Sequence, residues 1–240
     1  MADCKCCQAR CGLEYCVQKV PVFSSLKGED LAHVTSLIRH HDYHKGEILF
    51  SEKDRLEALV IVHSGSVKAY KVTPDGREQI LYIFQDGDFF GERNLFGDRT
   101  ASYTVEALEP VKSCSFSRES FRALLYEHPD IAIKIIEELE DRIARMENAL
   151  KSIGVRSVDG RISALLIDFA KRYGTNVPEG VLIRLPLSRE GMASQLGIAR
   201  ETVSRKLSQL EIDGVIRSIS NKSILLLKLD ALAAAADISE

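Results

Sequence analysis

The stretch LSREGMASQLGIARETVSRKLSQLEIDGVI, Leu187–Ile216, decides the reading of this 240-residue chain. Ser188 is suited to cap a helix N-terminus, and Met192, Ala193 and Leu196 follow on the inward face of a short helix. Gly197 supplies a tight turn, and a second helix begins near Ala199 with Val203, Leu207 and Leu210 inward. Two short helices joined by a Gly-containing turn of about three or four residues form a helix-turn-helix.

The outward face of the second helix carries Arg200, Glu201, Ser204 and Arg205, with Lys206 beside them. In such a motif the N-terminal part of the second helix reaches base edges in the major groove of double-stranded DNA. Arg grips O6 and N7 of guanine, Glu accepts from the cytosine amine, and Ser bonds to bases or phosphate. Ser188, Arg189 and Lys206 are placed for phosphate, which fixes register without reading sequence. The bland alternative is a solvated face on a structural helix pair; agreement of pattern, turn and residue type favours DNA.

Upstream, IAIKIIEELEDRIARMENALKSIG places Ala132, Ile136, Leu139, Ile143, Met146, Leu150 and Ile153 at alternating steps of 4 and 3 residues. That is an a/d seam, with charged residues on the other faces. Ile131–Ile153 as a helix is about 34 Å long. A self-paired helix implies a two-fold homodimer; the alternative is an amphipathic helix lying on its own domain. Earlier still, short apolar or alternating runs (EILF, ALVIVHSG, VKAYKV, QILYIF, CSF) lie between Gly46 and Phe116, punctuated by glycines and by the Pro74-Asp75-Gly76 turn. They predict a small β-roll or sandwich. LKGEDLAHVTSLI before them has helical spacing, and the triad His40, His41 and His44 reads as a polar turn after that helix rather than a ligand set. Beyond the seam, SVDGRISALLIDFAKRYG reads as a helix, VLIRLPL as a strand, ISNKSILLLKL as a hairpin and DALAAAADISE as an Ala-rich helix.

Composition is that of a globular protein, 45% hydrophobic and 28% charged. No apolar run approaches the roughly 18 residues of a membrane span, and no secretory signal is visible, so no membrane role and a cytoplasmic location are expected. The net charge of −3 argues against a blanket polyanion binder. From Arg156 onward, however, 12 Lys and Arg stand against 10 Asp and Glu, a local excess of basic charge that suits specific contact with nucleic acid. No nucleophile–base pair or phosphate-cradling Gly loop is present, so an enzyme is not expected.

Four stretches together carry a resemblance to the Crp/Fnr family of bacterial transcription regulators. They are KGEILF…SGSVKAYKV…DGREQIL…GDFFGE, the heptad helix, VDGRISALLIDFAKR, and GIARETVSRKL. The resemblance implies an α+β fold in four parts: a cysteine-rich arm over 1–22, a jelly-roll-like β-roll sensor domain over 23–128, a dimerisation helix over 129–154, and a winged helix-turn-helix over 155–240. It implies a homodimer on an inverted repeat, with recognition helices about 34 Å apart, and contact with RNA polymerase. Glu201, Ser204 and Arg205 match the E-x-x-S-R pattern of the FNR-like branch, which reads TTGAT-type half-sites; Arg200, Glu201 and Arg205 equally match R-E-x-x-x-R of the cAMP-receptor branch, which reads TGTGA. Both half-sites share TGA, and Ser204 favours the first.

The effector splits along the same lines. The cAMP-binding branch uses a Gly-Glu pair and, about ten residues on, an Arg-Ser pair. Here Gly91-Glu92 is kept but Ala101-Ser102 stands in the second place, with Arg99-Thr100 out of register. Lacking that guanidinium, the cyclic phosphate loses its charge-assisted partner, so cAMP is disfavoured. Five of six cysteines lie in MADCKCCQARCGLEYC, and a reducing compartment disfavours a permanent disulfide framework. By resemblance to FNR-type sensors, Cys7, Cys11 and Cys16 with Cys114 are expected to hold one 4Fe–4S cluster per subunit. Their spacing is C-x3-C-x4-C where the family has C-x2-C-x5-C, and Cys4 or Cys6 can substitute. A thiol–disulfide switch, zinc, or a tail of unused thiols with Cys114 as a small buried apolar residue are the competing readings. A small-molecule receptor with incidental cysteines remains the alternative function.

Overall fold

The computed structural model describes residues 20–23, 26, 28–97, 100–155 and 157–236, leaving aside the side chains of residues 94, 145 and 148–155. After a single 3-10 turn at Pro21–Phe23, the elements are α1 (Glu29–Leu37), β1 (Ile38–Tyr43), β2 (Ile48–Phe50), β3 (Ala58–Ser64), β4 (Ser66–Val72), β5 (Glu78–Gln85), β6 (Phe89–Phe90), α2 (Glu92–Phe96), β7 (Thr104–Ala107), β8 (Val111–Ser117) and α3 (Arg118–Glu127). Next comes the long α4 (Pro129–Val155), followed by α5 (Val158–Tyr173), β9 (Gly174–Val177), β10 (Gly180–Arg184), α6 (Arg189–Leu196), α7 (Arg200–Ile212), β11 (Ile216–Ser220), β12 (Ser223–Leu226) and α8 (Leu229–Ala235). Two compact units result: residues up to Val72 with Ile80–Asp141, and Thr73–Gln79 with Arg142 onward. The division falls within α4. Among the described residues, no helix is long and apolar enough to cross a membrane.

The first unit is a roll of two four-stranded sheets, ordered β1-β8-β3-β6 and β2-β7-β4-β5. The run Leu59-Val60-Ile61-Val62 in β3 is buried without interruption because its sheet is covered on both faces. Val60 and Val62 turn into the roll with Phe84, Phe90, Tyr103 and Val105. Leu59 and Ile61 turn the other way, onto Val20, Phe23, Leu31, Val34, Phe121 and the start of α4 at Ile131 and Ile135. The hairpin β4–β5 closes as the Pro74-Asp75-Gly76 signal predicts: the Gly76 N–H donates to the Thr73 carbonyl at 2.8 Å.

Two expectations shift. The apolar Ile38 continues the helical pattern of α1, yet it opens β1, because Ile38–Tyr43 pairs antiparallel with β8 in register from Phe116 to Val111. His40 and His41 therefore sit on a strand, not a polar turn. The helix expected over 129–154 runs one residue further, α4 ending at Val155.

The second unit contains a β11-β12-β10-β9 sheet and four helices from α5 on. α5 packs on α8, β10 and α7 through Ile162, Leu165, Leu166 and Phe169. Its N-terminus is capped by Ser157, whose Oγ accepts the Gly160 N–H at 3.2 Å.

Candidate nucleic-acid interface and sensor face

The α6–α7 pair forms from local chemistry. Ser188 Oγ accepts the Gly191 N–H at 3.2 Å and starts α6. Met192 and Ala193 bury one side, and Gly197 ends the helix in the left-handed region at φ 64°, where a Cβ is costly. The guanidinium of Arg161, on α5, donates to the Leu196 carbonyl at 3.1 Å and ties down one of the last carbonyls of α6. Val203 and Leu207 anchor α7 in the core, with Leu210 half-buried. Arg200, Glu201 and Arg205 are left exposed on the other side, and Ser204 is half-buried between them.

Ser188 and Arg189 are exposed at the start of α6. Lys206 has a different setting: its Nζ lies 2.7 and 2.9 Å from the two carboxylate oxygens of Asp159 on α5. At the far end of α7, Glu211 accepts from the Ser218 backbone N–H at 2.8 Å and from the Ser218 hydroxyl at 3.0 Å. These hydrogen bonds, together with the nearby charge of Arg189, hold the Glu211 carboxyl below the usual carboxylate range. Neither Lys206–Asp159 nor Glu211–Ser218 is readable from the sequence.

On α4, Ile136, Ile143 and Met146 are 64%, 57% and 46% exposed. Ile133, outside the heptad seam, is 57% exposed beside them. Leu139 packs partly against the core of the first unit, and Ala132 is half-buried. The side chains of Leu150 and Ile153 lie outside the described residues. α4 thus has two apolar faces: Ile131 and Ile135 are buried, while Ile136 and Ile143 are exposed among the described residues.

Cys114 is buried on β8, directly opposite His40 on β1, and its Sγ lies 3.3 Å from His40 Nδ1. Burial, aided by the charge of His41, lowers the His40 pKa and favours the neutral ring. Among the described residues, His40 Nε2 is buried with no hydrogen-bond partner. Cys114 also borders a cavity of about 10 Å³ lined by Val20, Phe23, Ile38, Ile61, His63 and Phe116, room for about one water. Successive strand residues point to opposite faces, so His41 bonds Ser115 Oγ at 3.1 Å instead, and His44 lies beside Glu47. The three histidines do not converge, and among the described residues no group of three His, Cys, Asp or Glu is arranged to hold a metal ion.

The model of the cyclic nucleotide-binding domain matches residues 40–128, and that of the Crp-like helix-turn-helix domain matches residues 160–235. The CRP-like cAMP-activated global transcriptional regulator of Mycobacterium tuberculosis is 31% identical over 214 residues, covering 88% of this chain and 94% of that protein. The nitrogen fixation regulation protein FixK of Bradyrhizobium diazoefficiens is 32% identical over 216 residues, covering 89% and 90%. The chain belongs to the Crp/Fnr family of transcription regulators. Among solved structures, a CooA variant from Carboxydothermus hydrogenoformans shares the fold with TM-score 0.78 at 22% identity, over 91% of this chain and 95% of that one. FixK2 of Bradyrhizobium japonicum gives TM-score 0.73 at 25% identity, over 82% and 96%. These relatives are regulators rather than enzymes, and the helix-turn-helix they share binds DNA.

In this Crp/Fnr regulator the positions weighed for a cyclic phosphate lie around Gly91 and Ala101. Gly91 holds a left-handed turn at φ 92° ahead of Glu92. Ala101 is buried, its backbone exchanging hydrogen bonds of 2.8 Å with Lys53 and Asp54, and it presents only a methyl group. Arg93 approaches the Ser102 hydroxyl at 3.4 Å, while Arg99 lies outside the described residues. The roll interior is filled by Phe50, Tyr82, Phe84, Phe90 and Tyr103, with ring centroids 5.1 to 6.2 Å apart.

The donor at Cys114 fits a cluster ligand in chemistry, since soft thiolates select iron–sulfur centres or zinc. Val20, the first described residue, lines the cavity beside Cys114. The remaining candidates, Cys4, Cys6, Cys7, Cys11 and Cys16, lie outside the described residues.

Proposed function

We propose that the chain acts in the cytoplasm as a homodimer on an inverted repeat, α7 of each subunit lying in the major groove over a TGA-containing half-site of the TTGAT type. Arg200, Glu201, Ser204 and Arg205 read bases, Ser188 and Arg189 hold phosphates, and RNA polymerase is the downstream partner. The observation that carries this reading is the exposed Arg200–Glu201–Arg205 face on a helix anchored by Val203 and Leu207. Dimerisation is supported by the exposed Ile136 and Ile143.

The signal, in the same proposal, is oxygen or redox state. Cys7, Cys11, Cys16 and Cys114 would hold a 4Fe–4S cluster, which supplies an oxygen-labile link between arm and roll. His40, 3.3 Å from the Cys114 sulfur, would orient that ligand. A cyclic nucleotide receptor is the second reading, favoured by the cyclic nucleotide-binding model over residues 40–128 and by the name of the M. tuberculosis relative. Buried Ala101 speaks against it. Operator binding of protein purified without air, measured before and after oxygen and with added cAMP, separates the two. Iron and acid-labile sulfide in the anaerobic protein, lost in Cys114→Ser, are expected; their absence from the wild type sinks the cluster, and a cAMP-dependent gain in affinity installs the second reading.

A further inference from the structure

Glu211 stands at the last turn of α7, beyond the residues that face bases, and both of its contacts go to one residue of the hairpin that follows. Its carboxylate takes the N–H and the hydroxyl of Ser218 together. Ser218 is where the hairpin is least regular: the β11–β12 register shifts between Ser218 and Ser220. A bulge bends a strand and leaves it poorly fixed by its own ladder, so a carboxylate gripping that position determines where the tip points.

The tip is Asn221-Lys222, both exposed. It is held from a second side as well. The Leu185 N–H donates to the Lys222 carbonyl at 2.8 Å, and the Lys222 N–H donates to Ser220 Oγ at 3.2 Å. Leu185 precedes Ser188 by three residues, so Lys222 is tied within about 11 Å of chain from that N-cap. Arg189, next to Ser188, is near enough to Glu211 for its charge to act on the carboxyl. The start of α6, the end of α7 and the hairpin tip therefore border one flank, with Ser188, Arg189 and Lys222 along it.

We infer that Glu211 is a positioning residue that locks the wing hairpin to the recognition helix and so fixes how Lys222, at the tip of that wing, meets the DNA backbone. A carboxylate beside DNA otherwise only repels it, so the role has a signature that plain charge repulsion lacks. The inference rests on the reading of α7 as the DNA-docking helix of a homodimer.

The test is the salt dependence of operator binding by the full-length dimer. Each phosphate contact contributes about −0.9 to the slope of log K against log salt, and two subunits double it. Lys222→Ala is expected to flatten the slope by about 2, so that the loss of affinity from about 50 to 200 mM salt is roughly tenfold smaller than in wild type. Glu211→Ala is expected to flatten it comparably, and Glu211→Ala with Lys222→Ala no further, because both remove the same contact. Glu211→Gln, which keeps an acceptor for the Ser218 N–H and gains a donor for its hydroxyl, should retain the wild-type slope. Thermal unfolding of the variants controls for loss of fold. An unchanged slope in Lys222→Ala overturns the inference, as does tighter binding by Glu211→Ala and Glu211→Gln alike, the mark of simple repulsion. Wild-type protein without salt-sensitive operator binding would instead remove the underlying DNA-docking reading.

Discussion

Consider replacing Ile136 and Ile143 by Ala. Both side chains are largely exposed in the single chain, at 64% and 57%, so neither contributes much to the fold of a protomer. Complete burial of an Ile is worth about 1.5–3 kcal/mol. With more than half of each surface still to be covered, and Ala retaining one carbon, each substitution removes about 1 kcal/mol per subunit. A two-fold interface contains every residue twice, so the pair of substitutions weakens association by about 4 kcal/mol, close to a thousandfold in Kd. Sedimentation equilibrium on both proteins, with circular dichroism to verify helix content, reads this directly. The expected result is a folded variant that dissociates at concentrations where the wild type remains dimeric. The reasoning is refuted if the wild type is monomeric throughout, or if the variant dimerises as tightly.

Arg205→Ala should cost about 1–3 kcal/mol per half-site and relax the preference at one base pair, measured by competition among operators altered singly. Asp159→Asn should release Lys206, now held at 2.7 and 2.9 Å, and steepen the salt dependence of DNA binding; an unchanged slope means that Lys206 does not reach phosphate. Gly91→Ala should lower the stability of the roll by about 1–3 kcal/mol in urea unfolding, since its φ is 92° and an added Cβ would collide with the Ala58 carbonyl. The Glu211 pKa lies below its unfolded value, so its bonds to Ser218 should be complete at neutral pH and fail only as pH falls through the lowered value. The Ser218 amide resonance should follow that titration, and a midpoint at or above the ordinary Glu value would contradict the contact.

The recognition helix was legible because everything needed to specify it lies within thirty or so consecutive residues, a cap, a Gly turn and two short apolar faces that agree with one another. The roll was legible in outline for a similar reason, through alternating runs and turn residues. Single apolar residues at element junctions were less readable. Ile38 satisfies the α1 pattern equally well, and only pairing with β8, remote in sequence, converts it to strand. That conversion also places His40 against Cys114 and separates it from His41. Side-chain partnerships such as Lys206–Asp159, 47 residues apart, leave no periodic trace at all.

The heptad seam exposes a subtler limit. Ile131, Ile135 and part of Leu139 face the first unit, whereas Ile133, Ile136, Ile143 and Met146 do not. One helix therefore meets two apolar demands, and a 3/4 periodicity registers their sum without separating them. The separation has a physical consequence for regulation. In the proposed homodimer, a change in the roll that shifts the Ile131–Ile135 contacts acts on the same helix that carries the exposed Ile136 and Ile143. Association and DNA affinity are then linked: joining two recognition helices makes the second half-site contact intramolecular. A modest bias at the roll can be read at the operator without any effector touching DNA.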